Sequence, residues 1–195
     1  MSGKYIVRQP IKDAEGNTIG HEILYHGANQ AFSSDNSTSS AEFAAANTIY
    51  SFLTQNSPKV LKGTLNFMTF TTMLLMKKTP RLFDKSDLVI QIDDAVIIHP
   101  LSMHLVQQYV REGYRIAVND FQFTPRYLAL LDDIHFIKIS VKTATEVTIR
   151  NTVEVAHSMN IKCIVTHIED ARTYERAVAV GADGLDGSYV AGQLT

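Results

Sequence analysis

Cysteine is almost absent from this 195-residue chain. Cys163 stands alone, which excludes a disulfide framework and a cysteine-built zinc site and suits a reducing compartment. A surplus of positive charge is also missing. The 18 Lys plus Arg are met by 20 Asp plus Glu, a formal charge of −2, whereas a general nucleic-acid binder carries a basic excess. Long apolar runs are lacking: the longest, Tyr127 to Leu131, has five residues, against the roughly 20 that a membrane helix needs. The opening Met-Ser-Gly-Lys-Tyr has no apolar signal core. What remains is 45% hydrophobic and 19% charged residues, enough to bury a core and to exclude wholesale disorder. These features describe a cytoplasmic domain that binds neither nucleic acid nor membrane. No linker-like stretch divides it, so residues 1–195 are expected to form a single domain.

The chain opens as a β-hairpin. Tyr5-Ile6-Val7 and Ile19 to Tyr25 are β-rich, and Asp13 to Asn17 supply the turn between them. Ser33 to Ser40 is a polar stretch that reads as a loop. Ser39 followed by Glu42 then makes a capping box before Phe43, Ala46, Tyr50 and Leu53. From there strands and helices alternate. Strands are predicted at Gly63–Met68, Leu88–Ile92, Arg115–Val118, Phe136–Ile139, Lys162–Val165 and Gly184–Leu185. Pro100 opens one helix, carrying Leu101, Leu105 and Tyr109, and Gly113 stops it. Thr124-Pro125 starts another. Thr143 with Glu146 caps a third, and Asp170 opens a fourth that Gly181 closes.

Strands recurring every ~20–30 residues have the pitch of βαβ units. The fold class is therefore α/β: a (β/α)8 TIM-like barrel, trimmed, with an N-terminal β-hairpin. An open doubly wound sheet is the alternative, because periodicity does not report closure. In a barrel the C-terminal strand ends form the functional face, and polar residues gather there: Asn66, Gln91, Asp93, Asp94, Asn119, Asp120, Lys138, Thr166, His167 and Asp186. Glu22 and His26 share one parity of the second strand and project to one side. Asp93, Asp94 and Asp120 also suit helix caps in βα loops. Lys138, inside an apolar strand, requires a partner if buried. A metal site on Glu22, His26, His167 and Asp186 competes with exposed loop-end histidines. The Met68, Met73 and Met76 set reads as core packing.

These segments, in this order, resemble the EAL family of cyclic di-GMP phosphodiesterases over essentially the whole chain. Val7-Arg8-Gln9-Pro10-Ile11 is similar to that family's opening Gln-Pro-Ile strand, and Glu22-Ile23-Leu24 stands where its signature Glu-Ala-Leu stands. Leu65-Asn66 resembles the second-motif asparagine. Leu88 to Asp94 resembles the strand that usually ends Glu-Ile-Thr-Glu. Ile116 to Phe121 resembles the Asp-Asp-Phe-Gly motif, and Phe136 to Ser140 the Lys-Ile-Asp strand. Val165 to Glu169 falls on the Ala-Glu-Gly-Val-Glu stretch, and Gly181 through Gly187 follows with the spacing to the family's Gln-Gly.

The resemblance implies a site in which acids and an asparagine hold two divalent cations that generate the attacking hydroxide. Glu22, Asn66 and Asp120 are retained, but Gln91, Asn119 and Thr166 stand at three acidic positions. Three negative charges are lost from a site meant for about +4, and each is worth several kcal/mol at 4 Å. Ser140 replaces an aspartate, His26 the phosphate-contacting arginine, and Asp186 a glutamine. The loop Gln122 to Arg126 lacks the family's Gly-Thr-Gly, and the Ser140–Lys162 segment is shorter than usual.

The expectation is accordingly a catalytically inactive EAL-like signalling or regulatory domain that acts through protein–protein contacts. It would hold no metal and no cofactor, and it would form a homodimer. The vestigial site would comprise Glu22, Asn66, Gln91, Asn119, Asp120, Lys138, Thr166 and Asp186. One alternative is a receptor that binds cyclic di-GMP without cutting it, through Gln9, Glu22, His26, Asn66 and Lys138; another is a weak phosphodiesterase. Chains in which a shortened EAL-like domain precedes an HDOD domain are also similar. The final Gly192-Gln193-Leu194-Thr195, without the family's closing helix, reads as a fragment or a natural truncation.

Overall fold

The computed structural model describes residues 5–26 and 64–192. The predicted loop at Ser33–Ser40, the helix opened by Ser39 and the Gly63 end of a predicted strand lie outside the described residues. Eight strands close into one barrel in sequence order: β1 (Tyr5–Lys12), β2 (Thr18–His26), β3 (Asn66–Thr69), β4 (Leu88–Ile92), β5 (Arg115–Val118), β6 (Phe136–Ser140), β7 (Lys162–Thr166) and β8 (Gly184–Leu185). β1 runs antiparallel to both its neighbours, and β2 through β8 are parallel to one another. The open-sheet alternative is thereby excluded. β1 meets β8 at a single register pair, Lys12 with Leu185.

Alternation along these strands splits the core in two. Ile11, Phe67, Val89, Ala117, Phe136 and Ile164 point inward and fill the barrel. Their neighbours in sequence, among them Met68, Ile90, Ile116, Val118, Ile137 and Val165, point outward under the helices. Gly20 makes room for this filling: a Cβ there would stand 2.9 Å from the Phe67 ring.

The described helices are α1 (Thr72–Met76), α2 (Asp94–Ile97), α3 (Pro100–Glu112), α4 (Glu146–Ser158), α5 (Ala171–Ala179) and α6 (Ser188–Gly192). Pro100 occupies the first turn of α3 and Gly113 ends it at φ +96°. Its buried residues are Ser102, Val106 and Tyr109; of the predicted Leu101, Leu105 and Tyr109, Tyr109 is buried, Leu105 packs partly buried against the core and Leu101 is exposed. Thr124-Pro125 begins 3-10 turns over Pro125–Asp133, not an α-helix. The cap of α4 is Thr145, which accepts the Thr148 N–H. Thr143 is spent in the preceding turn, donating to the Ser140 carbonyl. Asp170 caps α5 through the Thr173 N–H, as predicted, and the short α6 follows β8 where no helix was expected.

Candidate functional site

Seven of the eight strands present an inward side chain, on the strand or just past its end, in one polar network near the C-terminal mouth of the barrel. Gln9 on β1 faces Glu22 on β2 across the hairpin register. Thr69 on β3 is level with Gln91 on β4. Asn119 follows β5, Lys138 lies on β6, and Asp186 follows β8, each two residues beyond an interior position or its register partner.

Lys138 is the hub. It is 5% exposed, and its ammonium donates to Glu22 Oε2 and, at 2.9 Å, to Gln91 Oε1. Asp186 Oδ2 stands 3.9 Å away on the other side. The Phe67 ring lies beneath, with its centroid 6.0 Å from Nζ. The partner that a buried lysine requires is therefore supplied twice over.

Amide groups complete the network. Gln91 Nε2 donates to Glu22 Oε1 at 2.8 Å and to Thr69 Oγ1 at 3.2 Å. Asn119 Nδ2 donates to Thr69 Oγ1 at 3.3 Å and to Asp93 Oδ1 at 2.8 Å. Gln9 Nε2 donates to Asp186 Oδ1. Both Glu22 oxygens thus accept hydrogen bonds from buried donors, Lys138 and Gln91. The two buried carboxylates and one ammonium leave this inner ring with a formal charge of −1.

A second cluster stands beside it. Thr166 Oγ1 and Ser140 Oγ lie 3.0 and 2.9 Å from His167 Nδ1, so either hydroxyl can donate to a neutral imidazole that carries its proton on Nε2. His167 sits in the left-handed region at φ +64°. The chain holds it there. Ile168 N–H donates to the Asp186 carbonyl and Tyr189 N–H to that of Ile168, while Gly187 packs so closely that a Cβ would fall 2.2 Å from Ile168 O.

The remaining predicted residues are placed elsewhere. Asn66 does not join the network. It opens β3 at the far end of the barrel, on the outward side, and its amide donates to the Thr64 and Asp87 carbonyls. Thr69, three residues on and inward, holds the position expected of Asn66. The signal was the alternation Phe67, Thr69. Asp120 is exposed, with φ +45°. His26 ends the β2 backbone, and its side chain lies outside the described residues. Among the described residues, no three His, Cys, Asp or Glu side chains gather to form a metal ligand set.

A family model described as "EAL domain" matches residues 69–193. The chain is 25% identical over 193 residues to an uncharacterised Bacillus subtilis protein, YuxH, covering 95% of this chain and 46% of that protein. It is 24% identical over 142 residues to the cyclic di-GMP phosphodiesterase CdgJ of Vibrio cholerae, covering 72% of this chain and 32% of that protein. The chain thus spans less than half the length of either relative. Among solved structures, the PaMucR phosphodiesterase in complex with c-di-GMP superposes with a TM-score of 0.77 at 15% identity, covering 97% of this chain and 96% of that one. The FimX EAL domain of Pseudomonas aeruginosa bound to c-di-GMP superposes at 0.72 with 21% identity, covering 95% and 88%.

Proposed function

The chain belongs to the EAL domain family, and from that premise we propose that it is a non-catalytic member, a regulatory module that acts by binding other proteins. The observation that carries this reading is the scarcity of anionic oxygens at the mouth. Lys138 is shared between Glu22 and Asp186, and Gln91 and Asn119 supply amides where a pair of divalent ions needs anionic oxygens. The residues present do not fit the two-cation chemistry of the family. An inner ring of charge −1 does not offset about +4, and both of its carboxylates are already engaged by Lys138. Thr69 at the inward position on β3 adds a neutral hydroxyl to the same deficit.

Support for protein contact comes from the outer surface. Ile98, Leu101 and Leu128 are 67%, 43% and 68% exposed, and the segment carrying Leu128 runs beside α3, where Gln107 Nε2 donates to the Ala129 carbonyl. Exposed apolar side chains on two neighbouring segments favour association, and a second copy of the chain is the first occupant to test. Sedimentation equilibrium of the wild type and of Leu101→Lys with Leu128→Lys tests it; a wild type that stays monomeric at 100 µM removes the homodimer.

Turnover of cyclic di-GMP with Mg2+ or Mn2+ tests the central claim, and no linear dinucleotide is expected. Product from the wild type but not from Glu22→Ala overturns it. Calorimetry with cyclic di-GMP separates a receptor: a Kd below 10 µM, about −7 kcal/mol, moves the reading there. Weak binding is expected, because Asp186 brings a buried carboxylate toward an anionic ligand.

A further inference from the structure

The end of the barrel opposite this network holds a cavity of about 800 Å3, within the size range of small-molecule sites. It opens among the N-terminal ends of β5, β6 and β7. Its floor is Phe136, whose ring meets Phe67 edge-on at 5.0 Å inside the barrel, and Leu65, Ile134 and Ile161 form apolar walls.

Two cations flank that floor, and the register explains why. Phe136 pairs with Lys162 on one side and with Ala117 on the other. Lys162, and Arg115 two residues before Ala117, therefore share the inward side of Phe136. Lys162 is exposed and has no carboxylate within ion-pair reach among the described residues. Arg115 makes one long hydrogen bond, from Nη1 to the Ser86 carbonyl at 3.3 Å. The nearby Asp183 is turned to other work: its Oδ2 takes the Cys163 N–H and pairs with His157 Nε2, both at 2.8 Å. Asp132 also lines the cavity and forms no ion pair with Arg115 or Lys162. His135 adds a neutral donor to the wall, because its Nδ1 accepts the Ile116 N–H and the proton is then on Nε2.

An aromatic floor, apolar walls and two cations that form no ion pair with the lining carboxylates among the described residues define a ligand by chemistry. We propose that this cavity binds a small amphipathic anion, with its apolar body on Phe136 and its carboxylate, sulfonate or phosphoryl group between Arg115 and Lys162. The site stands at the opposite end of the barrel from Lys138 and does not depend on the reading given for the mouth.

Fluorescence titration with 1-anilinonaphthalene-8-sulfonate tests it, with the uncharged N-phenyl-1-naphthylamine as control. The wild type binds one sulfonate probe per chain. Arg115→Met with Lys162→Met weakens that probe at least tenfold and leaves the uncharged one within twofold, and Ile161→Trp, which fills the cavity, abolishes both. The charge-keeping pair Arg115→Lys with Lys162→Arg binds as the wild type does, and thermal unfolding of every variant separates lost binding from lost folding. Displacement of the probe by laurate identifies acyl carboxylates as the fit, and displacement by phenyl phosphate identifies aryl phosphates. Failure of both to compete, absence of one-to-one binding, or unchanged affinity in the Met variant overturns the proposal.

Discussion

Replacing Lys138 by methionine keeps the length of the side chain and removes its charge. In the native barrel that charge satisfies one oxygen of Glu22, one oxygen of Gln91 and the near approach of Asp186. The side chains of Glu22 and Asp186 are only 12% and 8% exposed, so water cannot take the place of the ammonium. Breaking a buried pair by removing one partner costs about 3–5 kcal/mol, and here two carboxylates are stranded together with no cation between them. A loss of about 4 kcal/mol is expected, a large share of a typical ~5–15 kcal/mol stability. Urea unfolding followed by circular dichroism measures it. Adding Glu22→Gln to the variant removes one stranded charge while keeping an acceptor for Gln91, and should recover at least ~1 kcal/mol. A loss below ~1 kcal/mol, or strict additivity in the double-mutant cycle, would refute the view that the ammonium is locked between these acids.

Four further outcomes follow from other parts of the structure. Gly187→Ala would drive a Cβ to 2.2 Å from Ile168 O; a loss of about 3 kcal/mol or more is expected in the same unfolding assay, and near-neutrality would show that the β8 turn yields. Cys163 is buried, and burial pushes its thiol up to about 12, so the native protein should resist Ellman's reagent and react fully only once unfolded. Burial also lowers the His135 pKa below the ordinary 6.5. The unfolded chain then takes up the proton more readily, and stability should fall as the pH drops below about 6.5; His135→Asn, which keeps an acceptor for the Ile116 N–H, should flatten that slope, and identical slopes would count against it. Thr145→Ala removes the cap of α4 and should cost ~1 kcal/mol, whereas Thr143→Ala should cost less.

Most of the barrel was legible because its strands are buried on both sides and read as short apolar runs, as Leu88–Ile92 and Lys162–Thr166 do. Proline and glycine marked both ends of α3 for reasons of backbone geometry alone. Closure was not legible, since the Lys12–Leu185 pair joins residues with no local relation. Nor was the choice of cap: the spacing to Glu146 points to Thr143, whereas Thr145 is the residue that accepts the Thr148 N–H and Thr143 bonds the Ser140 carbonyl instead. At the mouth, Gln91, Asn119, Lys138 and Asp186 were identified because polar residues ending apolar strands stand out, Glu22 came from its parity on the second strand, and Gln9 came only from the family resemblance. Asn66 was misplaced by trusting a residue type over the two-residue alternation, which turns Asn66 outward and Thr69 inward. The pairing of Ser140 with His167 went unseen because it crosses from one strand end to the next loop.

The single rung between β1 and β8 bears on how the molecule assembles. A chain emerging from the ribosome presents its first hairpin early, yet that hairpin finds its last neighbour only when residue 185 is available. Until then the growing sheet has a raw edge on either side, and ring closure must overcome the entropy of a long intervening loop. In the finished protein, thermal breathing should begin at the same place: amides flanking Lys12 and Leu185 should exchange with solvent well before those of β4 and β6, which are hydrogen-bonded on both sides.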